Sequence, residues 1–243
     1  MGVSEVRTAV AMGLREYRRT PVLLALLVVL PAYLVGLFGY AAPTTPVPLD
    51  VPGGGETTVA LADALSVLGV QLVTGMVGGL VGLFVVHSAT DADGRLVVSG
   101  FDPASLLFAR GALVVVAAAA SVAVSLGVLA LTFTPANVTG LVVSGLLTAT
   151  VYGMVGIVVG SQVDLLAGVW VIVFLPLLDV ALFQNPLATE TTTLATVLPA
   201  HAPMRLAVDA SFVSGIDWAP LATALGYLAV TTVVATARYY TRA

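Results

Sequence analysis

Long apolar runs alternate with short polar segments along this chain, and the runs fall at 21–40, 65–86, 106–131, 138–160, 165–183 and 218–237. An α-helix rises 1.5 Å per residue, so about twenty apolar residues cross the ~30 Å hydrocarbon core of a bilayer. Each run therefore predicts one transmembrane helix. Residues 1–20 follow a different rhythm. Val3, Val6, Val10, Leu14 and Tyr17 recur at helical spacing, and Glu5, Arg7, Arg15, Glu16, Arg18 and Arg19 hold the other face. That pattern predicts an amphipathic helix lying in the membrane interface. The expected fold is all-α, an integral membrane protein with one transmembrane domain over 1–243.

The polar segments differ in character. Residues 41–63 are rich in Pro, Gly and Thr, with no basic residue, and read as a mobile loop. Between the second and third crossings lies the longest polar break, His87–Arg110, with a cytoplasmic loop expected at 88–105. Asp91, Asp93 and Arg95 form a charged turn, Leu96–Val98 an apolar patch and Gly100 a bend. Asp102 and Pro103 then suit the N-cap and first residue of the third crossing. Residues 184–217 are divided by Pro186, Pro199 and Pro203 into two short helices, about Leu187–Leu198 and Pro203–Phe212. Both are too short to cross and too apolar for a free loop, which predicts an outer re-entrant hairpin with its ends buried in protein.

Composition sets the solvent and removes several chemistries. Hydrophobic residues make up 59% of the chain and charged residues 9%, against about 25% charged in a soluble domain. Mean hydropathy is +1.07. The lipid bilayer is the expected surrounding. All nine basic residues are arginines and there is no cysteine. Without lysine there is no P-loop lysine for ATP phosphates; without cysteine there are no disulfides, thiolate metal sites or thiol nucleophiles. A net charge of −4 offers no basic face to nucleic acid.

Six crossings put both termini on one side. Arg7, Arg15, Arg18, Arg19, Arg95, Arg110, Arg238 and Arg242 share that side and Arg205 alone lies opposite, so both termini are expected in the cytoplasm, with the chain in the cell membrane. The first run is longer than a signal-peptide core and is followed by further crossings, so it reads as an anchor.

Few residues inside the runs carry chemistry. Ser144-Gly145 lacks the Gly-x-Ser-Gly setting of a rhomboid protease, and His87 and His201 both fall outside mid-membrane positions. Asp164 and Asp179 open and close the fifth run, about 22 Å apart along one helix, and cannot share a proton as a protease dyad. Asp91, Asp93, Gly94 and Arg95 echo a lipid phosphotransferase, but no ordered carboxylate series follows. Asp179 reads either as a polar group on a substrate path or as a carboxylate hydrogen-bonded to a neighbouring helix. Pro176 leaves the carbonyl of Ile172 without its helical partner, so a kink with local water access is expected beside it. Gln71 suits a helix-to-helix hydrogen bond, Asn137 a helix cap, and the pairs Gly75/Gly79, Gly78/Gly82 and Gly156/Gly160 close helix packing, continued by Gly140, Ser144 and Thr148.

Three segments, in order, carry a resemblance: Arg-Arg-Thr-Pro at 18–21, Asp-Gly-Arg-Leu-Val-Val-Ser-Gly-Phe-Asp-Pro at 93–103, and Leu-Pro-Ala-His-Ala-Pro-Met-Arg-Leu at 198–206. Set within six crossings, they resemble the permease subunit of an ABC-2 type transporter across essentially the whole chain. The resemblance implies a permease dimer, formed here with a second copy, joined to cytoplasmic ABC ATPase subunits that hold ATP and Mg²⁺ and drive export. It places the ATPase-coupling contact on Asp91, Asp93, Arg95, Leu96 and Val97, caps the exit path with the outer hairpin, and turns the first and fifth crossings toward the second copy. No cofactor and no catalytic residue is expected in this chain itself. The alternatives are a six-helix scaffold or accessory subunit without transport, and a small membrane enzyme using Asp91 or Asp93.

Overall fold

The computed structural model describes residues 11, 15, 21–51, 54–98, 103–188, 192–214 and 217–240, and the side chains within them except at 22, 23, 89–98, 103–107, 239 and 240. The amphipathic segment expected over 1–20 lies outside the described residues apart from helical positions 11 and 15. Eight helices and one hairpin are described: α1 (Pro21–Ala41), β1 (Pro46–Val51), β2 (Gly55–Ala60), α2 (Leu61–Val98), α3 (Pro103–Leu129), α4 (Val138–Gly160), α5 (Leu165–Pro176, continuing as a π-helical turn over Leu177–Phe183), α6 (Thr193–Thr196), α7 (His201–Phe212) and α8 (Ala219–Tyr240). Six of these helices, α1 to α5 and α8, are long and apolar enough to cross a membrane. The chain is a multi-pass, predominantly helical membrane protein.

Helix α2 is the core of the bundle. It packs on α1, α3, α4, α5 and α7, and Val67, Val70, Val73, Val77, Val81 and Val85 are all buried along it. Its seam with α4 is the most intimate. A methyl group built on Gly78 would overlap Ala149 O, one on Gly82 would overlap Gly153 O, and one on Gly156 would overlap Gly79 O. Apolar side chains gain nothing by leaving lipid for one another, so backbones that approach this closely are held by dispersion contacts that only glycine permits. The packing role expected of these glycines is the one they have.

Two boundaries differ from the hydropathy pattern. Helix α2 starts at Leu61, not 65, and continues past the apolar stretch Leu61–Ser88 to Val98. Hydropathy marks where a helix leaves lipid, whereas its backbone hydrogen bonds continue until a breaker intervenes, and Pro103 is the first proline after Leu61. At 1.5 Å per residue the 38-residue helix is about 57 Å long. The expected bend at Gly100 and the cap at Asp102 lie outside the described residues; Pro103 does open α3.

The second difference is at 41–63, where an ordered antiparallel hairpin replaces the expected mobile loop. Val47 pairs with Val59 and Leu49 with Thr57, and Gly55 turns at φ +75°. Leu61 N–H donates to Thr45 O at 2.9 Å, which puts Pro46 and Pro48 in the intervening non-bonded positions, where a missing N–H costs nothing. Leu49 and Val51 are buried against Met204 and Val208 of α7 and Leu68 and Leu72 of α2.

In the last polar segment the first short helix is only Thr193–Thr196, capped by Thr192, instead of 187–198. The second starts earlier than expected, at His201, so Pro203 falls in its first turn, where helical N–H groups are unpaired anyway.

Candidate functional site

Asp179 sits where α5 loses its regular pitch. Pro176 cannot donate a helical hydrogen bond, and the chain answers with a wider turn in which Gln184 N–H donates to Asp179 O, five residues back, at 2.9 Å. The widened turn points the Asp179 side chain into the protein, where it is 2% exposed. Beside Pro176, where a kink is expected, the helix widens and the carboxylate is lined by protein.

Three donors from three elements converge on it. Tyr152 on α4 donates its hydroxyl to Oδ2. The backbone N–H of Ala200, which precedes α7, donates to the same oxygen at 3.0 Å, and Gln184 Nε2 reaches Oδ1 at 3.3 Å. All three partners donate, and both carboxylate oxygens accept. Ala200 is the N-cap of α7 and has no side chain able to cap it. Asp179 accepts from the N–H of that N-cap residue, so a side chain of another helix ties down the start of α7.

Tyr152 is fully buried, and its ring fits because α2 is glycine there: a Cβ on Gly75 would lie 3.1 Å from Tyr152 Cδ2 and 3.3 Å from Pro176 Cβ. Gln184 extends the network. Its Nε2 also donates to Ala195 O at 2.8 Å, and a carbonyl only accepts, so Oε1 faces His201 Nδ1 at 2.9 Å and that nitrogen carries the proton. The His201 imidazole, half-buried on α7, is held below its ordinary pKa of 6.5. Burial is the main cause and the Arg205 charge adds to it, with Asp179 opposing both.

A second polar knot joins α2 to α4. Gln71 Nε2 donates to Ser144 Oγ at 2.9 Å and Thr148 Oγ1 donates to Gln71 Oε1, while both hydroxyls also reach carbonyls of their own helix. This is the helix-to-helix bond expected of Gln71. Asn137 likewise caps α4 through its Oδ1, accepting from Gly140 N–H at 3.0 Å.

Of the residues singled out from the sequence, Pro176 and Asp179 are brought into one turn. Asp91, Asp93, Arg95, Leu96 and Val97 lie at the far end of α2, on helical backbone whose side chains fall outside the described residues. Tyr152, Gln184 and Ala200 carried no signal in the sequence, because their pairing is made by chain folding; the need of a buried carboxylate for donors was the one available hint. His201 is joined to Asp179 through the Gln184 amide. Among the described residues no group of three His, Asp or Glu is placed to hold a metal ion.

Compared with protein-family models and with curated proteins, the chain matches neither a family model nor a curated sequence. Its function has to be read from its own residues.

Proposed function

We propose that the chain is the permease subunit of an ABC-2 type exporter, driven by a separate cytoplasmic ATPase. The observation that carries this reading is the extension of α2. A single helix runs from the outer hairpin through the core of the bundle and beyond its apolar stretch, bearing Asp91, Asp93, Arg95, Leu96 and Val97 on its last turns. A rod of this kind passes a push at one end to the other without dissipating it in a loop. In this reading the Val98 end is cytoplasmic, in keeping with the arginine distribution, and those five residues dock on the ATPase.

Two further features support it. The outward faces of α1 and α5 are apolar and exposed, with Val28, Val29 and Tyr33 on one and Leu166, Trp170 and Phe174 on the other. Leu26 of α1 and Ile172 of α5 meet on Leu80 and Leu83 of α2, so these faces flank one side of the bundle, where a second copy pairs with it. At the opposite end from Val98, the β-hairpin and α7 cover the bundle, and there they cap the exit path as a re-entrant element.

Purification of the chain from its native membrane under complex-preserving conditions is expected to bring down a P-loop ATPase. Asp93→Arg with Arg95→Asp is expected to uncouple ATP hydrolysis from transport while the chain still folds. Purification without any ATPase would instead favour a scaffold or accessory subunit.

A further inference from the structure

Helix α7 is held at both ends by groups that belong to other elements, and the two ends are held differently. At its C-terminus, Asn137 N–H donates to Ala210 O at 2.7 Å and Ala136 N–H to Ser211 O at 3.0 Å. These are backbone amides of the turn before α4, and no rotamer change removes them. At its N-terminus the Ala200 N–H is held by the Asp179 side chain, and the Tyr152 hydroxyl and Gln184 amide position that carboxylate. A side chain releases by rotating. Beyond these, Tyr227 of α8 donates to Val197 O at 2.6 Å and His201 pairs with Gln184 Oε1 at 2.9 Å, while apolar contacts seat Met204 and Val208 on Leu49, Val51, Leu68 and Leu72, and Ala202 and Leu206 on Leu147 of α4 and Ala224 of α8.

We propose that α7 is a hinged lid, pivoting at its Ala210–Phe212 end and latched at its His201 end by Asp179. Release of the Ala200 N–H from Asp179 swings the His201 end away and exposes the apolar side chains of α2, α4 and the β-hairpin on which α7 packs, while the amide-bound end stays in place. Asp179 in this role acts through the donors it holds. It sets how often the lid opens.

The chain has no native cysteine, so single cysteines report local opening without background. Ala202 and Ala210 are both buried, one near each end of α7. Ala202→Cys and Ala210→Cys are made separately in the full chain and labelled with N-ethylmaleimide in detergent micelles, with and without Asp179→Asn. The expected result is labelling at position 202 faster by roughly fivefold or more, the effect of losing one hydrogen bond, with position 210 unchanged. Equal acceleration at both positions would overturn the hinge, because Asp179 would then hold α7 or the whole fold together. No acceleration at either would overturn the latch. If Asp179→Asn does not fold, Tyr152→Phe gives the same discrimination with a smaller rise at 202, since two donors remain. The labelling needs neither cargo nor ATPase, so the lid and the permease reading fail separately.

Discussion

The hydroxyl of Tyr152 and the carboxylate of Asp179 join α4 to the π-helical end of α5, with both side chains buried. The ring of Tyr152 packs on Gly75, so Tyr152→Phe keeps the packing and removes only the hydrogen bond. A hydrogen bond of this kind is worth about 0.5–1.5 kcal/mol, and the variant is expected to lose that much in equilibrium unfolding. Asp179→Ala strands the Tyr152 hydroxyl, the Ala200 N–H and one Gln184 donor together, and should cost about 3 kcal/mol or more. An Asp179→Ala variant as stable as the parent would mean that the three donors find other partners.

The glycine seam between α2 and α4 gives a sharper contrast. A methyl at Gly82 or Gly156 meets backbone of the facing helix, which cannot rotate away, so Gly82→Ala or Gly156→Ala must separate the helices. Overpacking of this kind costs about 1–3 kcal/mol or more. A methyl at Gly127 on α3 meets nothing within 4 Å. Gly127→Ala is therefore expected to be neutral or to stabilise by up to about 1 kcal/mol through helix propensity. Unfolding midpoints of the three variants side by side decide the point.

The His201 end of α7 makes stability depend on pH. The imidazole has its pKa lowered in the folded chain by burial and by Arg205, so the unfolded chain binds its proton more readily. Its contribution to stability is complete above the unfolded value of 6.5 and declines as pH falls through 6.5 toward the folded value. Protonation leaves the Nδ1–H donation to Gln184 intact, so the loss comes from charge in a partly buried place and not from a broken hydrogen bond. His201→Gln, which keeps a donor but does not titrate, is expected to flatten the acid side of the unfolding midpoint against pH. An unchanged slope would assign the acid sensitivity to the carboxylates.

What was legible in advance follows from what local chemistry decides. The span of α4, Val138–Gly160, was readable because Asn137 caps one end and polar Ser161 and Gln162 mark the other; the Asp164 cap and the apolar run to Phe183 did the same for α5. The glycine pairs were readable because a spacing of four leaves little else for them to do in lipid. The β-hairpin was hidden by its own prolines and glycines, which read as loop, although Val47, Leu49 and Val51 alternate with polar or proline neighbours. The Asp179 cluster was hidden for a different reason. Its donors lie 27 residues before it and 5 and 21 after it, and no periodicity joins positions that only the folded chain brings together.

That hidden hairpin can be tested directly. A Cβ built on Gly54 lies 3.8 Å from Val213 Cβ, at the ~3.8 Å mean for natural disulfides. With no other cysteine present, Gly54→Cys with Val213→Cys is expected to cross-link quantitatively under mild oxidation, seen as a mobility shift that reductant reverses. The bridge closes a long stretch of chain and should add about 2–4 kcal/mol where the native geometry is kept. A mobile segment over 41–63 would cross-link slowly and to mixed products, and would gain little. Fast, uniform closure would place the hairpin against the residue that follows α7, beside the end about which the lid turns.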